Sequence, residues 1–233
     1  MMSLSGKKIL SFVVAALSCM LSYAPMSAQS HYSSNVAFGV KGGVDLSRVF
    51  FTPSVKQGML LGMNAGVTFR YIEENHFGFI VECNFAQRGW KENFEELPFE
   101  YQRTVDYIEV PFLTHIYFGR RGRFFFNAGP QIAFAIGERS KSNFDVDNLE
   151  NVPNFPSIRN TYQYFKSAKK RVDFGISAGL GGEFSINRKN ALYIEARCYY
   201  GLGNVLKSGR TETIRGSNYL SFSASIGYWF RIK

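Results

Sequence analysis

The residues best suited to acid–base or metal chemistry are the three histidines, His31, His76 and His115, since imidazole titrates near neutrality and ligates metals. They stand far apart: His31 in the N-terminal stretch, His76 in a short turn, His115 in the middle of a strand-like run. Their spacing, alone or with Cys83 and Cys198, matches no metal site. His115 lies nearest Glu109, and that pair reads as packed interior, not as a general base. Gly42-Gly43 and residues 179–182 lack the following helix that a phosphate loop requires. The expectation is a chain with no catalytic residue, no metal, no cofactor and no enzyme activity.

A second chemical pattern is a near-balanced set of charges on one face of regular segments. Lys41, Arg70, Arg88, Arg171 and Arg197 stand against Asp45, Glu82, Glu109, Asp173, Glu183 and Glu195. Buried charges must be neutralised and hydrogen-bonded, so this mixture predicts mutual pairing inside a closed structure.

The elements that carry these charges alternate with a period of two, the signature of a strand with two different faces. Eight such segments occur, at about 36–47, 61–72, 77–88, 105–118, 124–137, 171–184, 192–200 and 218–230. Phe (23), Tyr (13) and Gly (22) are abundant, which suits an all-β chain. Runs of roughly nine to fourteen residues exceed a mean globular strand and are long enough to cross a bilayer at barrel tilt. Short connections at 73–76, 119–122 and 187–190 alternate with long ones at 48–60, 89–104, 138–170 and 201–217. Transmembrane barrels pair short periplasmic turns with longer external loops. The prediction is an eight-stranded antiparallel up-and-down transmembrane β-barrel over residues 29–233, with both termini periplasmic.

Period two leaves the direction of each face open, because a soluble eight-stranded barrel has an apolar interior. The inverted arrangement is favoured by the small and balanced polar face and by an apolar face almost free of charge. Cys83 and Cys198 then fall on the apolar face as small hydrophobes. Pro111, in a strand, predicts a local bulge.

Residues 1–28 read as a secretory signal peptide. Lys7 and Lys8 form the positive region, 9–21 the apolar region, and Met26-Ser27-Ala28 a small-residue cleavage site. The address is therefore the cell outer membrane. The formal charge of +9 suits contact with anionic lipid and lipopolysaccharide. Nucleic acid is not an expected partner, because Lys169-Lys170-Arg171 is too short a basic run.

Several phrases resemble the PorT-like, porin-type outer-membrane β-barrel proteins of Gram-negative bacteria. They are 39–47 (GVKGGVDLS), 107–113 (YIEVPFL), 127–130 (NAGP), 173–181 (DFGISAGLG), 200–204 (YGLGN) and 226–230 (IGYWF). The resemblance covers the mature chain and implies an eight-stranded outer-membrane barrel. The family's founding member is associated with a protein-secretion system, which implies an accessory role of that kind. Ser225, Gly227, Phe230 and Ile232 resemble the C-terminal signal read by the barrel-assembly machinery, a further implied partner.

The function expected is structural or interactive, through extracellular loops. The 138–170 loop is the candidate partner site, since it mixes charges with Phe144, Phe155, Tyr162, Tyr164 and Phe165. The competing expectation is a narrow channel or small-solute transporter, opposed by bulky lumen charges in a barrel just wide enough to be filled by side chains.

Overall fold

The computed structural model describes residues 35–94, 97–120, 122–156, 161, 163–165, 172–206 and 216–232. The proposed signal peptide, Arg171 and Tyr162 lie outside the described residues. The strands are β1 (Asn35–Thr52), β2 (Gln57–Gly58), β3 (Leu60–Glu74), β4 (Phe77–Glu92), β5 (Tyr101–Gly119), β6 (Gly122–Ser142), β7 (Val172–Ser185), β8 (Asn190–Gly201) and β9 (Gly216–Arg231). A 3-10 turn, Leu149–Asn151, is the one helical element among the described residues.

Neighbouring strands pair antiparallel in the order β4-β3-β1-β9-β8-β7-β6-β5, and β4 pairs with β5 to close the ring. Eight strands thus form the barrel, and β2 adds only a short ladder at the open edge of β4, Gln57 opposite Glu92. Closure removes the unpaired edges that water-free lipid does not tolerate. The first and last long strands meet from Ala37–Arg231 to Thr52–Gly216. One bond beyond that ladder, the Ile232 amide donates to the Val36 carbonyl at 2.8 Å.

The faces are inverted relative to a soluble protein. Leu61 is 66% exposed and Ile226 60%, whereas Arg70, Glu82 and Glu183 are all below 5%. Apolar side chains point outward around the wall and charged ones point in, as a membrane barrel requires. Inside, an aromatic layer lies at each end. One gathers Phe51, Trp90, Tyr101, Tyr107 and Tyr219 below the long loops. The other gathers Ile72, Leu113, Tyr117, Phe125, Tyr193 and Trp229 at the short-turn end. The polar residues fill the space between.

The strands run beyond the alternating segments, mostly toward the long loops. β1 continues to Thr52, β4 to Glu92 and β6 to Ser142, while β5 begins at Tyr101. The long connections are shorter than expected by the same residues. Backbone pairing continues after the outer face turns polar, so hydrophobic alternation marks only the part of a strand that faces lipid. The bulge also differs from expectation. Opposite Pro111 the β4–β5 ladder skips two pairs without changing register. The shift lies in β6, where Asp106 opposes Gly137 and Tyr107 opposes Ala135, leaving Ile136 extra.

The short turns are built locally. His76 and Gly119 hold the left-handed backbone that tight turns need. The Asn187 side-chain oxygen accepts from the amides of Lys189 at 2.9 Å and Asn190 at 2.8 Å.

Candidate functional site

Period two aims every second side chain of each strand into the lumen, and the wall brings those side chains within hydrogen-bond reach of one another. At the middle level Glu82 accepts from Lys41 Nζ at 2.7 Å, Arg197 Nη1 at 2.7 Å, Arg197 Nη2 at 2.8 Å and Asn84 Nδ2 at 2.8 Å. Arg197 also donates to Glu195 at 2.8 Å. Glu195 accepts from Asn127 Nδ2 at 2.8 Å, and Asn127 Oδ1 accepts from His115 Nδ1 at 2.7 Å. His115, buried between Tyr117 and Phe125, therefore sits in this network and not against Glu109.

Toward the long loops, Arg88 pairs with Glu109, and Gln131 donates to Glu109 at 2.9 Å. The Arg88 guanidinium lies 3.8 Å from the Tyr199 ring centre, a cation–π contact in a desolvated setting. Tyr199 donates to Asp173 at 2.8 Å, and Asn64 donates to Asp45 at 2.9 Å. Toward the short turns, Arg70 pairs with Glu183 and covers Trp229 at 4.5 Å. Arg231 and Arg123 join the same carboxylate.

Thus Lys41, Asp45, Arg70, Glu82, Arg88, Glu109, Asp173, Glu183, Glu195 and Arg197 all point inward and are brought into contact with polar or charged neighbours. Arg123, Arg231, Tyr193 and Trp229 belong to this interior but were not among the expected site residues. Arg123 continues the inward register of Phe125 and Asn127, Trp229 and Arg231 that of Ser225 and Gly227, and Tyr193 that of Glu195 and Arg197. Between Asp45, Asn64, Arg88, Glu109, Arg197 and Tyr199 remains a polar cavity of about 20 Å³, the size of one water.

The four assembly-signal residues divide between the faces. Ser225 is buried and its hydroxyl donates to Asn64 Oδ1 at 3.1 Å. Gly227 is opposite Tyr193, whose ring occupies the space a Cβ would take. That ring stacks on Trp229 at 5.2 Å. Phe230 and Ile232 are exposed on the outer wall.

At the long-loop end, the lumen is capped. Trp90 and Arg103 are buried, Arg103 donates to the Tyr164 carbonyl at 3.0 Å, and it pairs with Glu138 at 3.3 Å. Tyr164 and Gln163 donate to Glu92 at 2.7 and 2.8 Å. Phe94, Phe99, Phe144 and Phe155 pack ring against ring at 5.4–6.3 Å. Phe144, Phe155 and Tyr164 of the expected partner loop are therefore engaged with the cap, while Phe165 is 60% exposed. Among the described residues no group of three or more His, Cys, Asp or Glu is placed to hold a metal.

Residues 27–207 match the family described as outer membrane protein beta-barrel domain. The chain belongs to this family. Solved members of the outer-membrane barrel class are similar in fold. OprG from Pseudomonas aeruginosa matches with a TM-score of 0.50 at 10% identity, over 85% of this chain and 95% of that one. Ail, the attachment invasion locus protein of Yersinia pestis, matches at 0.39 and 15% identity, over 83% and 98%. The outer membrane enzyme PagL matches at 0.38 and 12% identity, over 81% and 97%. No curated protein matches. The family and the inverted faces together place this outer membrane protein in the outer membrane, while the finer PorT-like likeness is a separate matter.

Proposed function

We propose that the protein is a closed outer-membrane barrel that acts through its extracellular surface, as a structural or interaction component and not as a solute path. The supporting observation is the filled lumen. Ion pairs such as Arg70–Glu183 and Arg197–Glu82 cross from one wall to another, and aromatic layers cover them at both ends. An eight-stranded barrel has little interior beyond what side chains occupy. An accessory role in protein secretion is the finer part of the proposal, and it rests on the PorT-like phrases alone. So do export by the residue 1–28 signal peptide and delivery through the barrel-assembly machinery rest on sequence alone.

The partner surface proposed is the 138–170 loop, with Phe165 as its exposed aromatic anchor. A photo-crosslinker at position 165 in intact cells tests this. The expected result is a discrete protein adduct that is absent when the crosslinker replaces outward Ile226. Equal labelling at both positions, or none at 165, would overturn the surface assignment.

A further inference from the structure

We propose that the outer wall of β3 to β6, at its long-loop end, is a binding groove for the phosphorylated headgroup of a lipid A-type glycolipid. The groove has a volume of about 770 Å³ and is lined by Met59, Leu61 and Met63 on one side and by Lys91, Arg139 and Lys141 on the other. All of the charged side chains lining it are cationic.

The strand register fixes the heights. Phe85, Ile108 and Phe134 form an outward apolar row across β4, β5 and β6. The next outward row is Gln87, Asp106 and Gly137, then Gly89, Thr104 and Arg139, then Lys91, Gln102 and Lys141. Each row is two residues further along, so the last lies about 13 Å along the strands from the first polar row, and roughly 10 Å higher at barrel tilt. Lys91 and Lys141 flank Gln102 on adjacent strands, so their backbones stand about 10 Å apart. Apolar wall below and separated cations above match an amphiphile with acyl chains under a bis-phosphorylated disaccharide.

The β6 bulge is what aims the cations outward. In the register below it, residues 131 and 133 point inward. Carried on without a shift, that alternation would send Arg139 and Lys141 into the lumen. With Ile136 inserted, Glu138 faces in toward Arg103 and Arg139 faces out, 64% exposed, toward Asp106 at 3.0 Å. Lys91 reaches Glu100 only at 3.8 Å, and Lys141 makes no ion pair among the described residues. On the opposite wall, Arg48 is the outward cation at the long-loop end among the described residues, lying over the Phe50 ring at 4.6 Å, and Phe50 and Leu202 are exposed. Among the described residues, Lys91, Arg139 and Lys141 thus gather around one groove.

The test is native mass spectrometry of the protein purified from membranes in detergent, titrated with lipid A, dephosphorylated lipid A or phosphatidylglycerol. The groove variant is Lys91→Gln with Arg139→Gln and Lys141→Gln; the control variant is Arg120→Gln with Arg188→Gln and Lys189→Gln at the short-turn end. Each surface cation contributes about a factor of five to anionic lipid attraction. The groove variant is therefore expected to bind lipid A at least about tenfold more weakly, and the control variant as the natural protein does. Lys141→Gln alone is expected to weaken binding severalfold, with folding checked by heat-modifiable gel mobility. Equal binding by the groove variant, an equal loss in the control variant, or phosphatidylglycerol binding as tightly as lipid A would overturn the proposal.

Discussion

Glu82 neutralises Lys41 and Arg197 together while accepting a bond from Asn84, and every one of these groups is out of reach of bulk water. A buried ion pair adds little net stability over an apolar core, but removing one partner leaves the other charge buried and unpaired. Glu82→Gln keeps the shape and removes the charge. It is expected to cost about 3–5 kcal/mol, measured as a lowered urea midpoint for the barrel folded in lipid vesicles. Gly227 tests packing instead of charge. Its missing Cβ makes room for the Tyr193 ring, so Gly227→Ala is expected to cost about 1–3 kcal/mol by overpacking. Tyr193→Leu in the same chain should recover part of that loss, because the two positions share one space and their effects are not additive. Additive losses would show that the ring does not depend on the glycine.

At the scale of the strand, the lipid-facing and water-facing lengths respond differently to the same substitution. Ile226→Arg places a cation near the middle of the outer apolar face of β9 and is expected to destabilise by about 2–4 kcal/mol. Gln102→Arg, above the last apolar row of β5, is expected to change stability by less than about 1 kcal/mol. Vesicle refolding equilibria measure both, and equal effects would contradict the heights assigned to the rows. The same boundary explains what the amino-acid order revealed. Alternation exposed every barrel strand, because lipid on one side and packed charge on the other impose two chemistries with a period of two. It stopped short at Gln87, Asp106 and Gly137, the first outward row without an apolar side chain, while pairing continues. The Ile136 bulge left no such mark, since an inserted Ile among outward Phe134 and inward Ala135 looks like more of the same apolar run. The partners of Glu183 were half legible: extending the inward register of β6 and β9 by two residues reaches Arg123 and Arg231. The strands of His115 and Asn127 are predicted as a hairpin about the 119–122 turn, but the pairing of the two side chains depends on the turn's register, Phe118 opposite Phe124, which alternation does not fix.

For the whole molecule, the polar middle and the two aromatic layers make one continuous filling. Charges inside are matched near one another, at Glu82 with Lys41 and Arg197, at Glu109 with Arg88, and at Glu183 with three arginines. The outside carries the remaining chemistry: an apolar belt, a cationic groove on one wall and a capped crown. On the function proposed above, the barrel is a rigid support whose specificity lies on its surface. Single-channel recording of the purified protein in a planar bilayer tests this most directly. The filled lumen predicts no steady conductance steps above those of the protein-free bilayer. Stable, ion-selective steps that change with Glu82→Gln would contradict it, because they would mean that ions move through the network that closes the barrel.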